Sequence, residues 1–282
     1  MDNLTKKQIS EALRIYCERK GSQNKAANSL KSVSPATISH VLSGEWKLIK
    51  DEMWRSIAAQ IEFKTNAWQA VETRDYKITN NLLSDAQDNA LVLAITGEAG
   101  TGKTFAARQY VNSHREAYLL SCADFWNKRM FLTELLATMG RDAGGYSIGE
   151  MMGEVVRQLK SAENPIIILD EADKLSDYVL YFFITLYNQL EDHCGIVLLS
   201  TDHLAKRIQR GRKLNKKGYK EIFSRIGRKF IELKGLGAAD VSAVCKANGV
   251  ENAETIKVVI DDCEGDMRRV KRKIHALKRT MI

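Results

Sequence analysis

Apolar and polar positions follow two rhythms along this chain. Over residues 1–63 the apolar positions recur at helical spacing. Residues 4–19 place Ile9, Leu13 and Tyr16 on one stripe, with Ala12 and Ile15 beside it, and Gly21 follows as a stop. Further helices are expected at residues 22–30, 35–42 and 51–61. Ser34 before Pro35 supplies an N-cap and a proline at the first helical position. From residue 91 the rhythm changes to short apolar runs, expected as strands at residues 91–95, 117–122, 166–170, 195–201 and 230–233. Helical patterns fill the intervals, among them residues 104–112, 130–139, 147–160 and 178–191. Strand alternating with helix predicts an α/β core in which a five-stranded parallel sheet is covered on both faces. After Gly237 the pattern is helical again, at residues 238–247, 253–263 and 267–281. A polar stretch, residues 64–90, joins the two rhythms and includes a helix at residues 76–87. The expected domains are therefore 1–63, a linker with a leading helix at 64–90, a core at 91–236 and a helical segment at 237–282.

Composition narrows the classes. With 44% hydrophobic and 28% charged residues among 282, the chain reads as an ordinary globular protein. It has no apolar run long enough to span a membrane, and its first residues lack a secretory h-region. Cys17, Cys122, Cys194, Cys245 and Cys263 are scattered and odd in number, without C-x-x-C spacing. Reduced thiols in a cytoplasm are expected, rather than a disulfide framework or a metal site. The net charge of +8 favours an anionic partner.

The chemistry concentrates after the first strand. Gly97-Glu98-Ala99-Gly100-Thr101-Gly102-Lys103-Thr104 fits G-x-x-x-x-G-K-[ST], the phosphate-cradling loop of P-loop NTPases. Glycines let the backbone approach phosphates, Lys103 reaches the β- and γ-phosphates, and the Thr104 hydroxyl coordinates Mg²⁺. Ile166 to Leu169 is apolar and runs into Asp170-Glu171-Ala172-Asp173, a Walker B arrangement. Asp170 is the expected Mg²⁺ ligand and Glu171 the general base that polarises the attacking water. The letters D-E-A-D also occur in DEAD-box helicases, but the other helicase elements are missing. Thr201, with Asp202 as second choice, ends the next strand where a γ-phosphate sensor belongs; a capping threonine is the alternative.

Charge clusters extend the list. Residues 204–220 carry eight basic residues and no acid, and two glycines and a tyrosine suggest a mobile basic loop facing phosphates, with Lys206, Arg207, Arg210, Arg212 and Lys213 as candidate DNA contacts. Lys128 and Arg129 open a helix, where cations oppose the dipole, and a phosphate partner would justify them. In residues 1–63 the order Gln23, Ala27, Val33, Ser34, Ile38, Ser39, Leu42, Gly44 resembles a phage-repressor helix-turn-helix. In that reading Val33, Ile38 and Leu42 are core, and Thr37, Ser39 and His40 face a major groove. Lys31-Ser32 depart from the pattern by replacing the usual glycine of the turn. A small bundle that docks protein is the other reading of the unit.

Taken together, the chain resembles an AAA+ ATPase, and more narrowly the MuB/TnsC-type target-capture ATPases of DNA transposition. Both Walker motifs, Val71-Glu72-Thr73, Ile222-Phe223-Ser224-Arg225-Ile226, Ala239-Asp240-Val241 and Gly265-Asp266-Met267-Arg268 carry the resemblance over nearly the whole chain. It implies a P-loop AAA+ core with an N-terminal helix-turn-helix and a C-terminal helical lid. It implies Arg225 as a finger reaching a neighbouring subunit's nucleotide, and Arg268 as a second sensor. It also implies ATP and Mg²⁺ as cofactors, helical filaments on double-stranded DNA, a transposase as partner, and the cytoplasm of a bacterium or phage-infected host. The first sensor departs from the family, which often has asparagine there. Two other roles share such a core: a replication initiator or helicase loader, and a transcription regulator with an ATPase switch.

Overall fold

The computed structural model describes residues 3–61, 63 and 68–280. The start of the expected linker, residues 64–67, lies outside the described residues, as does residue 281 at the end of the last expected helix. The chain divides into two compact units, Met1–Gln69 and Ala70–Ile282.

The first unit holds α1 (Asn3–Lys20), α2 (Gln23–Ser29), α3 (Pro35–Ser43), a 3-10 turn (Trp46–Leu48) and α4 (Asp51–Gln60). Its boundaries follow from caps. The Ser22 and Ser34 side chains accept from the backbone N–H groups of Lys25 and Thr37, satisfying donors that a helix start leaves free. Ile9, Leu13, Ile38, Val41, Trp54 and Ile57 form a fully enclosed core, with Trp46 edge-on to Trp54 at 5.6 Å. Val41 takes the deep position expected for Leu42, which is half-buried. The turn between α2 and α3 needs a left-handed residue, and Ser32 supplies it at φ 57.

The second unit begins with α5 (Arg74–Asp88), β1 (Val92–Thr96), α6 (Lys103–Ser113), β2 (Ala117–Ser121), α7 (Lys128–Thr138), α8 (Ile148–Ser161) and β3 (Ile166–Asp170). It continues through a 3-10 turn (Ala172–Lys174), α9 (Asp177–Leu190), β4 (Gly195–Ser200), α10 (Asp202–Lys213), α11 (Tyr219–Arg225) and β5 (Ile231–Glu232). It ends with α12 (Ala238–Ala247), α13 (Ala253–Cys263) and α14 (Met267–Thr280). The strands form one parallel sheet in the order β2-β3-β4-β1-β5. Side chains alternate between two cores, as a pleated strand requires. Ile167, Leu169, Ile196 and Leu198 pack on one face with residues of α7 to α11. Ile166, Ile168, Val197 and Leu199 pack on the other with residues of α5 and α6. Burial on both faces explains why the strands read as unbroken apolar runs.

The strand order positions the site. β4 lies between β1 and β3, so the segments leaving the carboxyl ends of these three strands converge, where open α/β sheets place their ligands.

Candidate nucleotide site

The loop after β1 is built around backbone that most residues avoid. Gly100 and Gly102 have φ of 88 and 95, and Gly102 caps α6 in the left-handed region. A Cβ on Gly100 would stand 1.9 Å from the Asp266 carboxylate, so the loop and the turn before α14 meet only because residue 100 has no side chain. The Met267 N–H donates to the Gly100 carbonyl at 3.1 Å, fastening α14 to the same loop.

Lys103 is buried. Its Nζ donates to the carbonyls of Gly97 (2.7 Å) and Glu98 (3.0 Å) and to Thr101 Oγ1 (3.1 Å). Burial lowers its pKa, opposed by the charges of Asp170, Asp173 and Glu98. Asp170 ends β3, also buried. Burial raises its pKa, partly offset by hydrogen bonds from the Thr104 hydroxyl and the Glu171 backbone N–H. Glu171 follows at φ 56, in a left-handed conformation rare for a side chain of its size, and its exposed carboxylate accepts from Lys174 Nζ at 2.7 Å.

A cavity of about 370 Å³ gathers Ala99, Gly100, Gly102, Lys103 and Thr104 with Asp170, Glu171, Thr201 and Arg268. That size suits a small-molecule ligand. Its groups are complementary to a polyphosphate with a divalent cation: N–H groups at a helix start, a buried ammonium, and a hydroxyl beside a buried carboxylate. Arg268 opens α14 with no side-chain partner among the described residues, whereas Arg269 and Lys273 pair with Glu264 and Asp262.

Thr201 has two engagements. Its hydroxyl donates to Asp173 Oδ2 at 2.7 Å and, as N-cap of α10, accepts from the His203 N–H at 3.4 Å. Asp202 turns away into an ion pair with Lys206. Arg225 lies outside the cavity. Its guanidinium donates from Nη2 to Asn188 Oδ1 at 2.9 Å and stands 5.2 Å from the Tyr187 ring centroid.

The expected basic loop is corrected. Residues 204–220 form α10, a turn and the start of α11. Leu204, Ile208 and Gly211 make a buried stripe at helical spacing, and Gly211 admits the Tyr219 ring, whose Cγ would lie 2.4 Å from an added Cβ. Counting charges hid this amphipathic period. Arg207 turns inward, donating from Nη1 to the Asp173 carbonyl at 3.1 Å, with Nε 3.6 Å from Asp177 Oδ1. Lys206 is exposed but paired, Arg210 lines a hollow with Lys216 and Tyr219, and Arg212 and Lys213 line another.

Lys128 and Arg129 do open α7, capped by Asn127. Lys128 Nζ sits 3.9 Å from the Tyr178 ring centroid, so an aromatic face partners it within the chain. Thr37 shares a hydrogen bond with the cap residue Ser34, Ser39 is exposed, and His40 pairs with Glu45. Sequence reasoning missed Asp173, Asn188 and Asp75. Asp75 is buried and accepts from the Gly235 N–H at 2.7 Å, while the neighbouring Arg74 N–H donates to Asp240 at 2.9 Å. The first ties α5 to the segment between β5 and α12, the second to α12 itself. In each bond the two partners lie more than 150 residues apart in sequence, so no local pattern marks them.

Known proteins share this arrangement. A model described as AAA domain matches residues 86–208. The Mu-like prophage FluMu DNA transposition protein B of Haemophilus influenzae is 25% identical over 250 residues, 84% of either chain. The ATP-dependent target DNA activator B of Escherichia phage Mu is 26% identical over 196 residues, 67% of this chain and 60% of that protein. The chain is thus similar to MuB-type transposition proteins and carries an AAA domain. Solved structures agree on the fold of this AAA+ core. Cdc6p from Pyrobaculum aerophilum gives a TM-score of 0.52 at 16% identity, covering 77% of this chain and 65% of its own. Orc1 of Aeropyrum pernix, in complex with DNA, gives 0.51 at 16% identity, covering 80% of this chain and 60% of its own. Among the described residues no helix is long and apolar enough to cross a membrane.

Proposed function

We propose that this protein is an ATP-dependent, largely sequence-tolerant DNA-binding ATPase that assembles into helical oligomers on target DNA and brings a transposase to it. The carrying observation is the gathering of Lys103, Thr104, Asp170, Glu171, Thr201 and Arg268 at one cavity while Arg225 stands outside it. The names of the relatives support the setting: one is a DNA transposition protein and the other an ATP-dependent target DNA activator.

In this reading the residues divide the work. The amides from Gly97 to Thr104 and the Lys103 ammonium hold the β- and γ-phosphates of ATP. Lys103 exchanges its loop carbonyl partners for phosphate oxygens. Thr104 and Asp170 would hold Mg²⁺, which would supply charge neutralisation at the phosphates. The burial shifts support this, since a polyphosphate relieves the cost at Lys103 and a cation relieves it at Asp170. Glu171 takes the proton of the attacking water after leaving Lys174. Thr201, bridged to Asp173, reads the γ-phosphate, and Arg268 from the C-terminal helical lid closes on it. Arg225, which lies outside its own cavity, acts as a finger in a neighbour's. The first unit acts as a helix-turn-helix in which exposed Ser39, with Thr37 and His40, faces DNA. Cytoplasmic action is part of the same proposal.

The test is a complementation. Lys103→Ala and Arg225→Ala variants are each inactive alone. Mixed, they regain part of the ATPase, because an intact P-loop then meets an intact arginine at some interfaces. No recovery in assemblies proven to be mixed would place Arg225 outside the reaction.

A further inference from the structure

A second hollow, of about 530 Å³, lies between α10 and α11 and is lined by Arg212, Lys213, Lys220 and Arg228 together with Phe223 and Ser224. It contains no carboxylate. None of its four cations has an ion-pair partner among the described residues, whereas Lys206, Arg207 and Lys216 of the same segment lie beside Asp202 or Asp177. The Arg212 guanidinium stacks 3.6 Å from the Phe223 ring centroid, which fixes its plane and leaves its N–H edge free. Gly227 and Arg228, at φ 69 and 58, turn the chain out of α11 and bring Arg228 to the rim.

Four like charges around one hollow repel unless an anion sits among them. The lining also says which anion. Phe223 is its one apolar side chain and Arg212 covers that ring, so an acidic peptide finds no apolar anchor. A phosphodiester backbone needs none. We propose that this hollow grips the sugar-phosphate backbone of duplex DNA, with Lys220 and Arg228 as contacts and Arg212 as a stacked, pre-oriented donor. The inference rests on the DNA-binding reading above and gives it a place. It also joins two jobs on one short helix, since α11 carries Lys220 towards the hollow and Arg225 towards Asn188.

The experiment uses the full chain with ATP and random-sequence duplex, measuring affinity across a salt series. The variant combines Lys220→Gln with Arg228→Asn, since asparagine tolerates the left-handed backbone. A control pair, Lys160→Gln with Lys257→Gln, removes the same charge from exposed positions elsewhere. Thermal melting verifies that both fold. The log–log salt slope becomes shallower by about 1.8 in the first variant, 0.9 for each lost phosphate contact, and stays unchanged in the control. An unchanged slope in the first variant overturns the proposal while leaving DNA binding intact. Failure of the unaltered protein to bind any duplex overturns the underlying reading as well. Two further probes name the other occupants. If inorganic phosphate or polyglutamate binds the unaltered protein but not the variant, while the duplex slope is equal in both, the hollow belongs to a small anion or an acidic protein and the proposal falls.

Discussion

Lys103 and Asp170 carry opposite charges and share one difficulty: both are buried at the floor of the cavity, and burial shifts each towards its neutral form. Ionised Asp170 therefore costs stability at neutral pH, and that cost disappears as pH falls through its raised pKa. Asp170→Asn is expected to raise the melting temperature of the nucleotide-free protein while abolishing the extra stabilisation by Mg-ATP; a lower melting temperature would show that the carboxylate is net stabilising. For Lys103 the sign is reversed. The unfolded chain holds its proton up to the ordinary lysine range, so stability rises with pH between the lowered pKa and that range, and ATP affinity falls over the same window. Titration calorimetry at rising pH checks this, with affinity flat to the ordinary lysine pKa as the contrary result. On the proposed mechanism, Glu171→Gln removes the base and spares the buried pair. Turnover should drop roughly 10²–10⁴-fold with ATP still bound, and unchanged turnover would assign the base elsewhere. That the loop, Asp170 and Glu171 meet at one cavity was legible in the sequence, because the first strand–loop–helix and the end of the third strand carry them at fixed spacing. Asp173 and Asn188 were not, since each acts on a residue brought to it only by the fold.

Elements show a similar division. Strands β1 to β4 were legible to within a residue or so, because burial on both faces makes them continuous apolar runs. α10 was misread as a loop, since its charges hid the stripe of Leu204, Ile208 and Gly211. α5 matters beyond its own packing. Asp75 at its first turn accepts the Gly235 N–H where the chain leaves the sheet for α12 to α14, and α14 is fastened in turn to Gly100. Asp75→Ala leaves that N–H unpaired and buried, a loss of about 1–3 kcal/mol. Hydrogen exchange should quicken in α12 to α14 and ATP affinity should weaken with it. Unchanged exchange there would make Asp75 a purely local cap.

At the scale of the whole molecule, two units with separate cores are joined at residues 69 and 70, and the nucleotide cavity and Arg225 belong to the second. On the proposed function, ATP-dependent assembly is accordingly expected of the second unit and an added DNA contact of the first. The central claim is that ATP, held between subunits, builds the DNA-bound oligomer. Electron microscopy of the full chain with random-sequence duplex DNA tests it most directly, with and without ATP and with Lys103→Ala. The account predicts regular helical assemblies along the DNA with ATP alone, and none with the variant. Equal coating of the DNA without nucleotide, or isolated particles with it, would contradict the account.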